Sequence, residues 1–394
     1  MTSIPTGPRP THAHHPSRRT FVKIGAATAA GLALAPWGCA PAAESGSKPL
    51  RILILGGTGF IGPHMVRRAR ERGHTLTLFN RGRSNSDLFP EIETLIGDRD
   101  GQLDALEGHE WDAVIDNSGY VPRHVRDSAQ LLAGSARQYL FISSVSAYAS
   151  LANPGITEDS PLGTMPDPTV EEVTGETYGP MKVLAEQEVQ KAFPNGATIV
   201  RPGYIVGPGD STDRWTYWPV RVAAGGEVLA PGDPAAPIQV IDARDLAAFV
   251  VHLVEQGTTG AFNAVGPAAP LAMSAMLDTL KSVSGSDASF TWVDQDFLVE
   301  RGAQFPIWSP TTGEYGGVHT VKTDHSIAAG LSHRPLAETT ADTLAWWNGL
   351  DAERRASMRS GLRLPPELGP APASLEAQRE VEKKLLEAWK QRSA

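Results

Sequence analysis

Leu50-Arg51-Ile52-Leu53-Ile54-Leu55 runs directly into Gly56-Gly57-Thr58-Gly59-Phe60-Ile61-Gly62, and this junction constrains the fold more than any other feature of the chain. The apolar run has the near-continuous hydrophobicity of a strand buried on both faces in a parallel sheet. Gly56, Gly59 and Gly62 each have a reason to lack a side chain. One lets the chain turn sharply, one lets backbone N–H groups approach a pyrophosphate, and one lets the following helix pack on the strand. That helix, expected to about Arg72, aims its free N–H groups and positive dipole end at the phosphates. The whole segment, Gly57, Thr58, Phe60 and Ile61 included, is therefore expected to cradle a dinucleotide.

The next strand, Thr75 to Phe79, ends in Asn80-Arg81-Gly82-Arg83. An NAD site usually places an acidic residue there to bond the ribose hydroxyls. Asn80 does not repel a 2′-phosphate and the Arg81 fork can pair with one, so NADP is favoured over NAD. Glu93 to Ile96 leads to Gly97-Asp98, where Asp98 is expected to accept from the adenine amino group. Trp111 to Asp116 leads to Asn117 and Ser118 at a strand end where cofactor should lie, and Gln138 to Ile142 is a further strand. Strands alternating with helical segments predict an α/β fold, a doubly wound parallel Rossmann sheet with a smaller C-terminal α/β substrate lobe.

After the Gln138–Ile142 strand come Ser143-Ser144-Val145-Ser146, and later Tyr178-Gly179-Pro180-Met181-Lys182 opens a helix. Tyr178 and Lys182 lie one helical turn apart on a common face. A phenol with its ordinary pKa near ~10 is a poor base at neutral pH, and a neighbouring ammonium favours the phenolate. Lys182 can also hold a nicotinamide ribose, and a serine hydroxyl can hold the substrate oxygen as its proton moves.

With these motifs the chain resembles the extended short-chain dehydrogenase/reductases, the family of nucleotide-sugar epimerases and dehydratases, over residues 50–350. The resemblance implies Ser144 as the triad serine, with Ser143 and Ser146 as rivals, Tyr178 as base and acid, and Lys182 as its partner. Arg201-Pro202-Gly203-Tyr204-Ile205-Val206-Gly207-Pro208 looks like the segment that closes over the nicotinamide, which adds Pro202 and Tyr204 to the cofactor contacts. Asp242-Ala243-Arg244-Asp245 looks like the returning strand and helix start, and Arg244 joins the substrate candidates. Phe79-Asn80-Arg81-Gly82 resembles an epimerase/dehydratase-like bacterial subgroup. The acidic pair that the family's 4,6-dehydratases use to eliminate water is replaced by Val145 and Ser146. Epimerisation, ketone reduction and alcohol oxidation of a sugar-like molecule stay open. The rival reading is a cofactor- or RNA-binding module without turnover, as in relatives resembling chloroplast stem-loop-binding proteins.

The expected organisation is a dinucleotide-binding domain over 50–202, a substrate lobe over 203–350, and a Pro-rich linker with a C-terminal helix over 351–394. Asp213-Arg214-Trp215-Thr216-Tyr217-Trp218 suits either stacking on a sugar ring, with Arg214 taking an anionic or hydroxyl group, or ordinary packing of a helix start. Trp292, Phe297, Phe305, Trp308, Trp346 and Trp347 read as core. A formal net charge of −9 argues against nucleic-acid binding. No metal site is expected, since the chain has one cysteine, Cys39, and His12, His14 and His15 lie upstream of an export segment.

That segment is Ser17-Arg18-Arg19-Thr20-Phe21-Val22-Lys23 followed by a short apolar stretch to about Ala35. It resembles a twin-arginine signal over residues 1–42, with a linker over 43–49, and it implies the twin-arginine machinery as a partner and a periplasmic or other extracytoplasmic location. Ala40-Pro41-Ala42 offers cleavage before Ala43, and Cys39 offers a lipid anchor as the alternative. No stretch reaches the roughly 18 to 20 apolar residues of a permanent span. Free dinucleotide is scarce outside the cytoplasm, so a tightly held cofactor loaded before export is expected. Replacing Arg18 and Arg19 with Lys is expected to strand the protein in the cytoplasm. Cell fractionation checks this, and unchanged distribution would refute the export reading.

Overall fold

A computed structural model describes residues 48–366 and 372–392. The expected export signal, Cys39 and the linker up to residue 47 lie outside the described residues. Seven parallel strands form the central sheet: β1 (Arg51–Leu55), β2 (Thr75–Asn80), β3 (Glu93–Ile96), β4 (Ala113–Asp116), β5 (Gln138–Ile142), β6 (Ala197–Pro202) and β7 (Gly260–Ala264). Their spatial order is β7-β6-β5-β4-β1-β2-β3, so the direction of winding reverses between β1 and β4. A crevice opens at such a reversal, outside the carboxyl ends of the two strands.

The pleat sorts each strand's side chains into two cores. Ile52 and Ile54 of β1, with Leu78, Ile115, Leu140 and Val200, pack against α1 (Gly62–Glu71) through Met65, Val66 and Ala69. Leu53 and Leu55, with Phe79, Val114, Phe141 and Ile199, face α2 (Pro122–Leu132) and α3 (Tyr178–Ala192) through Val125, Ala129, Ala185 and Val189. Each aliphatic side chain fully buried this way contributes roughly 1.5–3 kcal/mol.

The smaller lobe is built on a third core. The parallel strand pair Glu227–Pro231 and Ser289–Val293 is covered by helices Tyr217–Ala223, Met273–Ser284 and Leu336–Asn348. The C-terminal helix Leu375–Arg392 docks here through Leu385 and Leu386, and its Glu382 is buried against Arg221, with Oε2 2.6 Å from Nε. The expected span 203–350 is interrupted, because α4 (Ala243–Gln256) and β7 return to the main sheet. α4 is apolar enough to cover the sheet beside α1, and β7 closes the sheet's open edge against β6. Among the described residues no helix is long and apolar enough to cross a membrane, and no group of His, Cys, Asp and Glu is arranged to hold a metal ion.

The turn after β1 holds the fold and the crevice together. Gly56 and Gly57 both adopt left-handed backbone, with φ of 109° and 98°. A Cβ on Gly62 would lie 2.6 Å from the Gly57 backbone, so α1 can start this close to the turn only because Gly62 has none. Gly62→Ala is expected to destabilise the protein by about 1–3 kcal/mol through this overpacking. Urea unfolding measures the loss, and an unchanged midpoint would show that the turn yields freely.

Candidate active site

Two adjoining cavities occupy the crevice. The smaller, about 370 Å³, is lined by Thr58, Asn80, Arg81, Asp98 and Ser118 among others. The larger, about 580 Å³, is lined by Phe60, Ile61, Gly62, Asn117, Ser144, Tyr178, Lys182, Pro202 and Tyr204 among others. Gly56, Gly59, Ser118 and Tyr120 line both, so the two form one groove across the ends of β1 and β4. Of the expected cofactor contacts only Gly57 is absent from its walls. Gly57 is turned inward, where a Cβ would meet Leu78 at 3.1 Å.

The groove fits a dinucleotide. A Cβ built on Gly59 meets nothing within 4 Å, which leaves room for a phosphate beside the N-terminus of α1. No side chain caps that helix end, which leaves the Gly62 N–H and the positive end of the helix dipole to an anion. At the other end the Asn80 side chain accepts from Gly82 N at 2.8 Å and folds the chain into a turn that leaves Arg81 and Arg83 exposed at the cavity edge. Neither arginine pairs with a carboxylate among the described residues. Asp98 also lines this end, its Oδ1 accepting from Asp100 N at 3.2 Å.

Beneath the groove lies a buried network that local sequence patterns do not announce. Arg99 donates to both oxygens of Asp116 at 2.7 Å, to the Ser128 hydroxyl at 2.7 Å and to the His124 carbonyl at 3.3 Å. The Tyr139 hydroxyl donates to Asp116 Oδ2 at 2.8 Å. Burial first, and then the Asp116 charge, push the Tyr139 phenol well above its ordinary value, so it stays a donor. Asp116 Oδ1 in turn accepts from Ser118 N at 3.1 Å and shapes the strand end that the cofactor meets. Removing one partner of such a pair leaves an uncompensated buried charge, at a cost of about 3–5 kcal/mol.

Two elements bring the hydroxyl groups together. Ser144 accepts from Ser146 N at 3.1 Å and so caps the short 3-10 turn Val145–Ala147. A Cβ on Gly179 would lie 2.1 Å from the Ser146 carbonyl oxygen, so a bare glycine lets α3 begin against that turn. Tyr178 is thereby set beside Ser144. Burial raises the Tyr178 phenol above its ordinary pKa, while a hydrogen bond with the Ser144 side chain pulls it down. Of the rival serines, Ser143 is turned into the core, where it donates to Glu186. Ser146 also lines the cavity, but the serine side chain that lowers the phenol is Ser144.

Lys182 lies buried on the wall of the same cavity. Its ammonium donates to the Gly119 and Ile142 carbonyls at 2.6 and 2.9 Å and lies 4.9 Å from the centre of the Tyr120 ring. Burial holds its pKa down to about 8. The ammonium also lies 5.8 Å from the centre of the Tyr178 ring. Arg214 also pulls the Tyr178 phenol down. Tyr120, 52% exposed and 6.3 Å from Tyr178 between ring centres, was not anticipated. Its only sequence signal is its place after Asn117-Ser118-Gly119.

At the substrate end two expectations are corrected. Trp215 is fully buried, with Tyr217 and Trp218 beside it in the lobe core, so it packs and cannot stack on a sugar. Arg244 is bound to Asp242, with Nη2 2.7 Å from Oδ2, and to Asp342, and it does not line the larger cavity. Arg214 and Tyr204 do line it. Tyr204 is backed by the His319 ring, 5.6 Å away between centres. His319 accepts from Gln239 N through Nδ1 at 3.0 Å and so donates from Nε2 to the Ile307 carbonyl at 2.9 Å; burial lowers its pKa to about 4 and keeps it neutral. Among the described residues lining the larger cavity there is no Asp, Glu or His.

A parallel sheet that reverses at β1 and β4, a glycine cradle at that reversal, and a tyrosine and lysine one turn apart at its mouth define a dinucleotide-binding protein of the dehydrogenase type. The chain belongs to the NAD dependent epimerase/dehydratase family, which it matches over residues 52–265. It is 28% identical over 243 residues to the chloroplast stem-loop binding protein of 41 kDa b of Arabidopsis thaliana, covering 56% of this chain and 60% of that one. It is 29% identical over 218 residues to the 2'-dehydrokanamycin reductase of Streptomyces kanamyceticus, covering 52% of this chain and 58% of that one. The chain thus matches little more than half the length of these curated relatives. Among solved structures it is similar to the Bordetella bronchiseptica enzyme WbmG in complex with NAD and UDP, with a TM-score of 0.57, 16% identity, and 76% and 94% of the two chains covered. The UDP-Glc/GlcNAc 4-epimerase of Campylobacter jejuni gives the same TM-score and identity, over 75% of this chain and 98% of its own.

Proposed function

We propose that this chain interconverts an alcohol and a ketone on a sugar-like small molecule, with Tyr178 exchanging the proton at the reacting oxygen. The observation that carries the reading is the meeting of Tyr178, Ser144 and Lys182 at the mouth of a groove whose other half is the Gly59 cradle. A nicotinamide dinucleotide, when bound, supplies the hydride acceptor or donor. Ser144 donates a hydrogen bond to the substrate oxygen and keeps it within reach of the phenol. Lys182, buried and with a lowered pKa, ties the Gly119 carbonyl to the end of β5 and would hold the ribose of the nicotinamide. Epimerisation, reduction and oxidation all fall within this chemistry. Elimination of water does not, because the larger cavity offers no carboxylate among its described residues to take the second proton.

Tyr178→Phe keeps the ring and removes only the ionisable oxygen. Turnover is expected to fall about 100-fold or more while cofactor stays bound, and Ser144→Ala is expected to cost less than Tyr178→Phe but more than Ser146→Ala. Steady-state rates on a confirmed substrate, with melting curves to show folding, check the order. Wild-type turnover by Tyr178→Phe would overturn the assignment and leave the fold as a binding scaffold.

NADP is the preferred cofactor in this reading, supported by the unpaired Arg81 and Arg83 beside Asn80. Arg81→Ala is expected to weaken NADP far more than NAD, by about 1.5–3 kcal/mol for the lost charge-assisted bond. Titration calorimetry with both dinucleotides measures this, and equal losses would show that Arg81 does not read the 2′-phosphate.

A further inference from the structure

The arginines around the larger cavity are mostly spoken for. Arg99 is held by Asp116, Arg201 by Glu186, and Arg244 by Asp242 and Asp342. Arg214, on the cavity wall, pairs with no carboxylate among the described residues. Its Nε donates to the Thr212 hydroxyl at 3.1 Å. The guanidinium lies over the Tyr204 ring, 5.9 Å from its centre, and its two terminal nitrogens, the end of the fork that grips a carboxylate with parallel bonds, have no hydrogen-bond partner among the described residues.

The loop carrying Arg214 is braced on both sides. Asp210, fully buried, accepts from Thr212 N at 2.9 Å and from the Thr212 hydroxyl at 2.6 Å, which ties the arginine's own anchor to the core. Asp213, also fully buried, has left-handed backbone with φ of 59° and takes the Arg354 guanidinium and Arg359 N. A non-glycine residue keeps that conformation only where its surroundings over-determine it. Buried ion pairs thus brace one side of Arg214, and on the other its guanidinium faces the cavity over the Tyr204 ring with no carboxylate partner among the described residues. Arg214 also acts on the Tyr178 phenol, pulling its pKa down, which places the two groups on a shared cavity.

We propose that the substrate carries a carboxylate close to its reacting alcohol or ketone, and that Arg214 binds this carboxylate across the cavity from Tyr178. The substrate class is then a sugar acid or similar hydroxy acid, in place of a neutral sugar or a nucleoside diphosphate. This rests on the reading of Tyr178 given above. The only cations on the larger cavity's described walls are Lys182 and Arg214, and the Lys182 ammonium is already committed to two carbonyls. One open fork matches one carboxylate, whereas a diphosphate carries charge for more than one receptor. Leu151, Val265, Val318 and Tyr315 give the wall an apolar and aromatic part that suits the faces of a ring, and Ser146, Ser211 and Gln239 add neutral polar groups that suit hydroxyls.

A binding assay keeps this question apart from turnover. The cofactor-loaded protein is titrated calorimetrically with D-glucuronate, D-glucose and UDP-glucose, in wild type and in Arg214→Met, Arg214→Lys and Tyr178→Phe. Glucuronate is expected to bind about 10-fold or more tightly than glucose. Arg214→Met should abolish that preference without changing the melting temperature or cofactor affinity, Arg214→Lys should restore part of it, and Tyr178→Phe should keep it. Equal binding of acid and neutral sugar, a preference that survives Arg214→Met, no binding of glucuronate, or tightest binding by UDP-glucose would each overturn the proposal. If glucuronate binds through Arg214 while Tyr178→Phe turns it over at the wild-type rate, the proton-transfer reading fails and the carboxylate reading stands.

Discussion

A helix can begin hard against the end of a strand only where a side chain is missing, and both helices that open onto the groove do so at a glycine. Gly62 lets α1 start on the backbone of Gly57, and Gly179 lets α3 start on the carbonyl of Ser146. The first contact presents the Gly62 N–H to the cofactor side of the groove. The second sets Tyr178 beside Ser144. A methyl group at either place would lift the helix away by more than the tolerance of a hydrogen bond, so two missing Cβ atoms set the spacing on which the candidate chemistry depends.

Charge is distributed with the same economy. The chain as a whole is acidic, with a formal net charge of −9. Its buried arginines are neutralised in pairs, Arg99 with Asp116, Arg201 with Glu186 and Arg221 with Glu382. Four cations with no carboxylate partner among the described residues line the groove: Arg81 and Arg83 at one end, Lys182 in the middle and Arg214 at the other. A cleft with one sign of charge and low-dielectric walls focuses its field, so an acidic protein can still draw in an anionic cofactor.

The smaller lobe contributes by making one wall rigid. Trp215, Tyr217 and Trp218 fill its core and fix the start of the Tyr217–Ala223 helix just beyond Arg214. His319, neutral and bonded at both ring nitrogens, stands behind Tyr204. The segment containing Arg354 and Arg359 reaches back to Asp213 from near the C-terminus. His319, Arg354 and Arg359 act on the cavity through another side chain, which is why none of the three shows as a motif.

What the sequence by itself determined is what a short window encodes. Continuous apolar runs followed by turn residues marked the strands β1 to β5, glycine spacing marked the cradle, and one helical turn between Tyr178 and Lys182 put them on a common face. The helix Leu336–Asn348 and the C-terminal helix were legible for the same reason. Tertiary structure alone decided which way Trp215 faces, because its pattern fits a binding surface and a buried helix start equally well. It decided the fate of Arg244, whose partner Asp342 lies far along the chain, and the setting of Lys182, whose carbonyl partners come from two other segments. It turned the Ser143 hydroxyl toward Glu186 and set Ser144 beside Tyr178, among three hydroxyls that no local rule separates. It also supplied Arg99 and Tyr120, which stand in no motif. A residue's conformation is set largely by its neighbours in the chain, but its hydrogen-bond partners and its solvation are set by whatever the fold brings beside it.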